Sequence, residues 1–203
     1  MKAVDASPGE LDCQGQGTLQ PAAIRWPHSG LNDKPDLKTL LEVQEYFGLP
    51  SAALVEKDWF VVRALAAIHD VQVDGLILAF GGGTALGRAY RLLERMSEDI
   101  NLRIIGEKAN SRSALKRLRG EVNDRLQAAG FVADGNYVVK QNDRYVRYDL
   151  PYEAIAKGEG VLRPEIKIEL AAFPICTASE NRSVSSLLPK PRARLRKPKT
   201  SHV

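Results

Sequence analysis

The stretch Leu76-Ile77-Leu78-Ala79-Phe80-Gly81-Gly82-Gly83-Thr84 decides the fold of this 203-residue chain. Its apolar half predicts a buried strand over 76–80, and its three glycines predict a turn into a helix over 84–96. Small residues at such a turn let a phosphate approach the backbone, where amide groups and the Thr84 hydroxyl can hydrogen-bond it. Glycine-rich turns are often purely structural, so this one indicates phosphate binding only together with a second signal.

The second signal is the run Ser97-Glu98-Asp99-Ile100-Asn101. It opens a predicted strand over 99–105, on which Asp99 and Asn101 share a face, roughly 6.6 Å apart at their Cα atoms. Glu169 lies on a later predicted strand, over 164–173. If the two strands are neighbours, Asp99 and Glu169 could share one or two Mg²⁺ ions, because Mg²⁺ prefers oxygen ligands completed by substrate phosphates.

Lys167 shares the predicted strand face of Glu169, while Ile166, Ile168 and Leu170 point to the other side. The lysine could hold a phosphate there. The alternative is an ordinary ion pair between Lys167 and Glu169 on an exposed strand face.

The remaining elements follow from capping residues and periodicity. Helices are predicted over 36–47, with Asp36 as N-cap and Gly48 past the end, and over 51–69, with Ser51 as N-cap. A helix over 111–129 buries Leu115, Leu118, Val122 and Leu126 and stops at Gly130, and segments 131–140 and 144–150 form a hairpin. The predicted organisation is a flexible arm over 1–35, one core over 36–186 and a disordered basic tail over 187–203.

Composition describes an ordinary soluble protein, with 44% hydrophobic and 27% charged residues. The tail holds six of the 29 basic residues and no acidic residue. The rest of the chain therefore has 23 basic and 25 acidic residues. The net charge of +4 therefore reflects the tail and is weak support for nucleic-acid binding by the core. No apolar run suits a membrane span or a signal peptide, which predicts a cytoplasmic protein with reduced Cys13 and Cys176.

Several motifs in order resemble the abortive-infection AbiEii/AbiGii toxin family over residues 50–186. They are Val55-Glu56-Lys57-Asp58, Gly82-Gly83-Thr84-Ala85-Leu86, Ala89-Tyr90, the run from Leu93 to Ile100, and Ile166-Lys167-Ile168-Glu169-Leu170. The resemblance implies an α+β fold with a polymerase-beta-like nucleotidyltransferase core, a mixed sheet flanked by helices. It also implies the toxin of a toxin–antitoxin pair, with an antitoxin encoded nearby, that transfers a nucleotide from an NTP to an RNA acceptor such as a tRNA end.

The resemblance also assigns roles to individual residues. Asp99 would be a catalytic metal ligand, Glu169 the third acid, and Lys167 a nucleotide-contacting lysine, with Mg²⁺ or Mn²⁺ as the cofactor. Asn101 stands where the family has a second metal-binding aspartate, so we expect impaired activity. The triphosphate contacts would come from Gly82, Gly83 and Thr84.

Two alternatives stay open. One is a catalytically silent member that binds nucleotide, RNA or protein through Gly83, a basic helix face of Arg88, Arg91 and Arg95, and the tail; the other is a degenerate gene product without selected activity. Family-like sequence is expected to end near residue 186, which suggests a frameshifted or truncated end. Tyr145 and Tyr148 could contact RNA, although a solvent-facing hairpin is the favoured interpretation.

Overall fold

The computed structural model describes residues 34–88, 99–156, 162–173 and 184. Residues 1–33 of the predicted arm, the basic tail, both cysteines and the side chains of the basic helix face lie outside the described part of the chain. The described elements are α1 (Leu37–Phe47), α2 (Ala52–Ile68), β1 (Gln72–Val73), β2 (Leu76–Gly81), α3 (Gly82–Arg88), β3 (Asp99–Ile105), a 3-10 turn (Glu107–Asn110), α4 (Arg112–Ala128), β4 (Tyr137–Lys140), β5 (Tyr145–Pro151) and β6 (Glu165–Ala171). No described helix is long and apolar enough to cross a membrane.

Local capping explains where the helices begin and end. The side chains of Asp36, Ser51 and Ser111 each accept a hydrogen bond from a backbone amide in the first turn of α1, α2 and α4. Gly48 ends α1 in the left-handed conformation, at φ +61°. The four α4 side chains predicted to face inward are all buried. The predicted caps at Asp36 and Ser51, the end of α1 and the buried face of α4 are therefore confirmed, whereas the cap at Ser111 was not predicted.

The six described strands form one mixed sheet in the order β1-β2-β3-β6-β5-β4. Only β3 and β6 run parallel; the other neighbouring pairs are antiparallel. Mixed strand directions with flanking helices confirm the expected α+β fold.

The two faces of the central strands differ in character. One face is apolar and packs with α2 and α4 in the main core. Ile100, Ile168 and Tyr148 on this face are completely buried. On these strands the alternating positions, apart from the buried Ala171, are half-buried or exposed and mostly polar. We call this second side the open face. Because side chains alternate between the two faces along a strand, Asp99 and Asn101 on β3 share the open face with Lys167 and Glu169 on β6.

The hairpin turn is attached to α4 through Asp143, which has a left-handed φ of +68° and is 5% exposed. Its carboxylate accepts a hydrogen bond from Arg112 Nε at 3.0 Å and pairs with Arg119. Burial alone would raise the pKa of Asp143, but the hydrogen bonds and charges of the two arginines outweigh it and lower that pKa. The predicted turn at 141–143 is confirmed, and it carries an ion-pair anchor that the sequence did not indicate.

Three local predictions are wrong. Strand β2 is buried only at Leu76 and half-buried elsewhere, because it lies next to the sheet edge, where fewer neighbours cover its side chains than at the central strands. The first hairpin strand begins at Tyr137 and not at residue 131, since the Asp134-Gly135 turn interrupts the chain before it. Tyr148 is fully buried, so it faces the core and not solvent or RNA.

Candidate active site

The candidate site lies on the open face where β3 and β6 run side by side. Asp99 is directly opposite Lys167, and Asn101 is directly opposite Glu169. Strand spacing and rise place the Cα atoms of Asp99 and Glu169 diagonally, about 8 Å apart. All four side chains are half-buried. The structure thus brings together the residues that the sequence placed on two separate strands.

The glycine turn packs directly against Asn101. Gly82 has a φ of +74°, and a Cβ added to it would lie 2.8 Å from Asn101 Nδ2 and 3.1 Å from Asn101 Cβ. Both the left-handed φ and the close approach require glycine at this position. Gly81, one residue earlier, meets no such contact, since the nearest atom to an added Cβ is Asn101 O at 4.0 Å.

Thr84 fastens the start of α3 to β3. It is 1% exposed, and its hydroxyl donates a hydrogen bond to the carbonyl oxygen of Asp99. A threonine hydroxyl has one proton, and in this arrangement that proton is already donated to the backbone of β3. Thr84 therefore sets the distance between the glycine turn and the candidate metal ligand.

Tyr145 holds one oxygen of the Glu169 carboxylate. Its hydroxyl donates to Glu169 Oε1 at 2.9 Å. Burial, together with this bond to an anion, raises the pKa of Tyr145. The sequence analysis considered Tyr145 only as an RNA contact and missed this role, because the pairing of Tyr145 with Ala171 across two strands leaves no local sequence signal.

Charges alternate across the open face. Lys167 lies between Asp99 on β3 and Asp149 on β5, and Glu169 lies between Asn101 and Arg147. Arg147 already pairs with Asp149 at 3.0 Å. Lys167 forms no salt bridge in the described part of the chain. The ordinary Lys167–Glu169 ion pair that the sequence allowed is therefore not formed.

The donor set suits one hard cation better than two. Asp99 and Glu169 offer carboxylates, and the Asn101 amide oxygen adds a neutral ligand between them. Mg²⁺ is commonly bound by one or two carboxylates with substrate phosphates completing its shell. Within the described ranges no three His, Cys, Asp or Glu side chains cluster as a metal site.

Helix α2 controls how the chain enters β6. The buried Glu56 carboxylate accepts hydrogen bonds from the amides of Ile155 and Ala156, each at 3.0 Å. The neighbouring Lys57 Nζ donates to the carbonyl oxygen of Arg163 at 3.3 Å. Two consecutive residues of α2 thus hold both ends of the connection from β5 to β6. This arrangement gives the buried charges of the 55–58 motif a structural role in positioning β6.

Over residues 63–200 the chain matches the family described as "Nucleotidyl transferase AbiEii toxin, Type IV TA system". The match includes the whole candidate site. It continues past residue 186, where the sequence analysis expected family-like sequence to end, so that expectation is corrected. Comparison with curated proteins finds no match.

Proposed function

The chain belongs to the AbiEii nucleotidyl transferase toxin family of type IV toxin–antitoxin systems, and on that premise we propose that it transfers a nucleotide from an NTP to an RNA acceptor. The observation that carries the proposal is the register of β3 and β6, which sets Asp99 and Asn101 beside Lys167 and Glu169. We also propose a tRNA-like end as the acceptor, a cytoplasmic location and a cognate antitoxin encoded beside the toxin.

The triphosphate would lie along the glycine turn. Gly82 is exposed, so an anionic ligand could approach the backbone of the turn from the side that the Asn101 side chain does not cover. Lys167 supplies a positive charge on the same face, and no described carboxylate neutralises it through a salt bridge. Electrostatic stabilisation of this kind is the main contribution of the protein to phosphoryl-transfer chemistry.

A Mg²⁺ or Mn²⁺ ion would be held by Asp99 and Glu169, with the Asn101 amide between them. When bound, such an ion would supply Lewis-acid chemistry, polarising the phosphate and neutralising charge on the departing pyrophosphate. Tyr145 fixes the Glu169 carboxylate through Oε1 and leaves Oε2 for a ligand. Thr84 fixes the backbone of Asp99. The Glu169 carboxylate and the backbone of Asp99 are thus held in place by the protein itself, which supports a preorganised site.

Asn101 favours a second candidate function, a member that binds nucleotide or RNA with little or no turnover. An amide brings no negative charge, and its Nδ2 faces the glycine turn in this structure. The same fold could then retain binding while losing the second metal position. The two candidates differ in turnover and not in fold.

The test is to incubate the purified protein with each labelled NTP, Mg²⁺ or Mn²⁺, and total tRNA. We expect slow label transfer that is lost in Asp99→Ala and in Glu169→Gln. Lys116→Ala, an exposed substitution on α4, is the matched control and should transfer like the wild type. Transfer that survives Asp99→Ala would refute the proposed site, whereas nucleotide binding without transfer would establish the second candidate.

A further inference from the structure

An exposed aromatic ring flanked by arginines lies at one end of the open face. Phe173 follows β6 and is 38% exposed. The guanidinium carbons of Arg103 and Arg144 lie over its ring, at 5.9 Å and 5.7 Å from the centroid. Arg103 is itself an exposed residue of β3. We call these three residues the Phe173 platform.

The platform carries two positive charges that no carboxylate of the described residues neutralises through a salt bridge. This distinguishes it from the other arginines around the sheet and α4: Arg112, Arg117, Arg119, Arg125, Arg147 and Arg163 each pair with an acid. Arg144 Nη2 donates to the Ala172 carbonyl oxygen at 3.2 Å, which holds its guanidinium near Phe173. An exposed aromatic ring beside fixed cations is suited to an anionic ligand that also carries a planar ring system.

The position of the platform is set by the strand register. Arg103 lies two residues after Asn101, and Phe173 lies four residues after Glu169, about 13 Å along the sheet. The glycine turn approaches from the other direction, since Gly82 contacts Asn101 and Thr84 bonds to Asp99. The acids therefore lie between the turn and the platform. A donor nucleotide on the turn and an acceptor on the platform would meet at the acids.

We propose that the Phe173 platform binds the acceptor as single-stranded RNA, with a nucleobase stacked on Phe173 and phosphates beside Arg103 and Arg144. Single-stranded bases can stack on aromatic side chains, whereas the bases of a duplex already stack on each other. The inference rests on the proposed function and assigns the acceptor side of that site.

The experiment measures binding of a short fluorescein-labelled single-stranded RNA to the full chain by fluorescence anisotropy, without NTP, over a salt series. Phe173→Ala should weaken binding about tenfold, and Phe173→Leu similarly, because neither offers a stacking surface. Phe173→Tyr should bind like the wild type. Phe47→Ala, which removes another exposed phenylalanine on α1, is the matched control.

Arg103 tests the charge of the platform. Arg103→Gln should reduce the slope of log K against log salt by about 0.7, the value for one phosphate contact on a single strand. Arg103→Lys should keep most of that slope, and Lys116→Ala should leave it unchanged. Thermal unfolding of every variant checks that the fold is retained.

Two outcomes separate this inference from the proposed function. If Phe173→Ala and Arg103→Gln bind RNA like the wild type, RNA binding by the platform is refuted, even if the wild type transfers label to tRNA. A protein partner would then be the better occupant. If both variants lose RNA affinity as stated while the wild type transfers no label, the platform stands and the proposed activity fails.

Discussion

Replacing Gly82 with alanine tests the contact between the glycine turn and Asn101. An L-residue at the left-handed φ of +74° costs about 1–2 kcal/mol. The new Cβ would also lie 2.8 Å from Asn101 Nδ2 and 3.1 Å from Asn101 Cβ. Overpacking of this kind costs about 1–2 kcal/mol when the neighbour is a movable side chain. We therefore expect Gly82→Ala to lower the free energy of unfolding by about 2–4 kcal/mol.

The assay is urea unfolding monitored by circular dichroism. With a slope of about 1–3 kcal/mol/M, a loss of about 3 kcal/mol moves the midpoint by about 1–3 M. Gly81→Ala is the matched control, because its Cβ meets nothing closer than 4.0 Å, and it should change stability by less than about 0.5 kcal/mol. Adding Asn101→Ala to Gly82→Ala should recover about 1–2 kcal/mol, the packing part alone. If Gly82→Ala were as stable as Gly81→Ala, the close approach of the turn to Asn101 would be refuted.

Two further predictions concern Tyr145 and Asp143. Tyr145→Phe removes the hydrogen bond to Glu169 Oε1, so we expect the Mg²⁺ concentration needed for half-maximal label transfer to rise about tenfold; an unchanged Mg²⁺ requirement would show that Tyr145 does not orient Glu169. The pKa of Asp143 is lower in the folded protein than in the unfolded chain, so its stabilisation is complete above the unfolded value near 4 and is lost as pH falls through the lower folded value. Melting temperatures measured against pH should therefore show a wild-type advantage over Asp143→Asn that shrinks under acid conditions, and a constant advantage would contradict the ion-pair anchor.

Features fixed by nearby residues were predictable from the sequence. The caps at Asp36, Ser51 and Ser111 depend on a side chain and an amide within three residues, so the helix starts follow from local patterns. The burial of Tyr148 was also available, because period-two alternation puts it on the same face as the apolar Val146 and Leu150. The prediction that Tyr148 faces solvent or RNA was wrong because it did not take that alternation into account.

Features that depend on distant pairing were not predictable in detail. The sequence indicated that Asp99 and Glu169 would lie close together if their strands were neighbours. It could not show that they are neighbours, because the parallel pairing that sets Asp99 opposite Lys167 joins segments about 70 residues apart. The bond from Tyr145 to Glu169 depends on the additional pairing of β5 with β6. The two hydrogen-bonded ends of the β5–β6 connection likewise depend on how α2 packs and not on any local pattern.

The most direct test of the central claim compares nucleotide transfer to tRNA by the wild type, Asn101→Asp and Asp99→Ala under identical Mg²⁺ conditions. If Asp99, position 101 and Glu169 form the metal site, restoring a carboxylate at 101 should speed transfer by about tenfold or more, equivalent to a barrier lower by about 1.4 kcal/mol or more. Asp99→Ala should abolish transfer in both backgrounds. A rate that does not rise in Asn101→Asp, or that persists without Asp99, would contradict the assignment of these residues to a nucleotidyl transferase site.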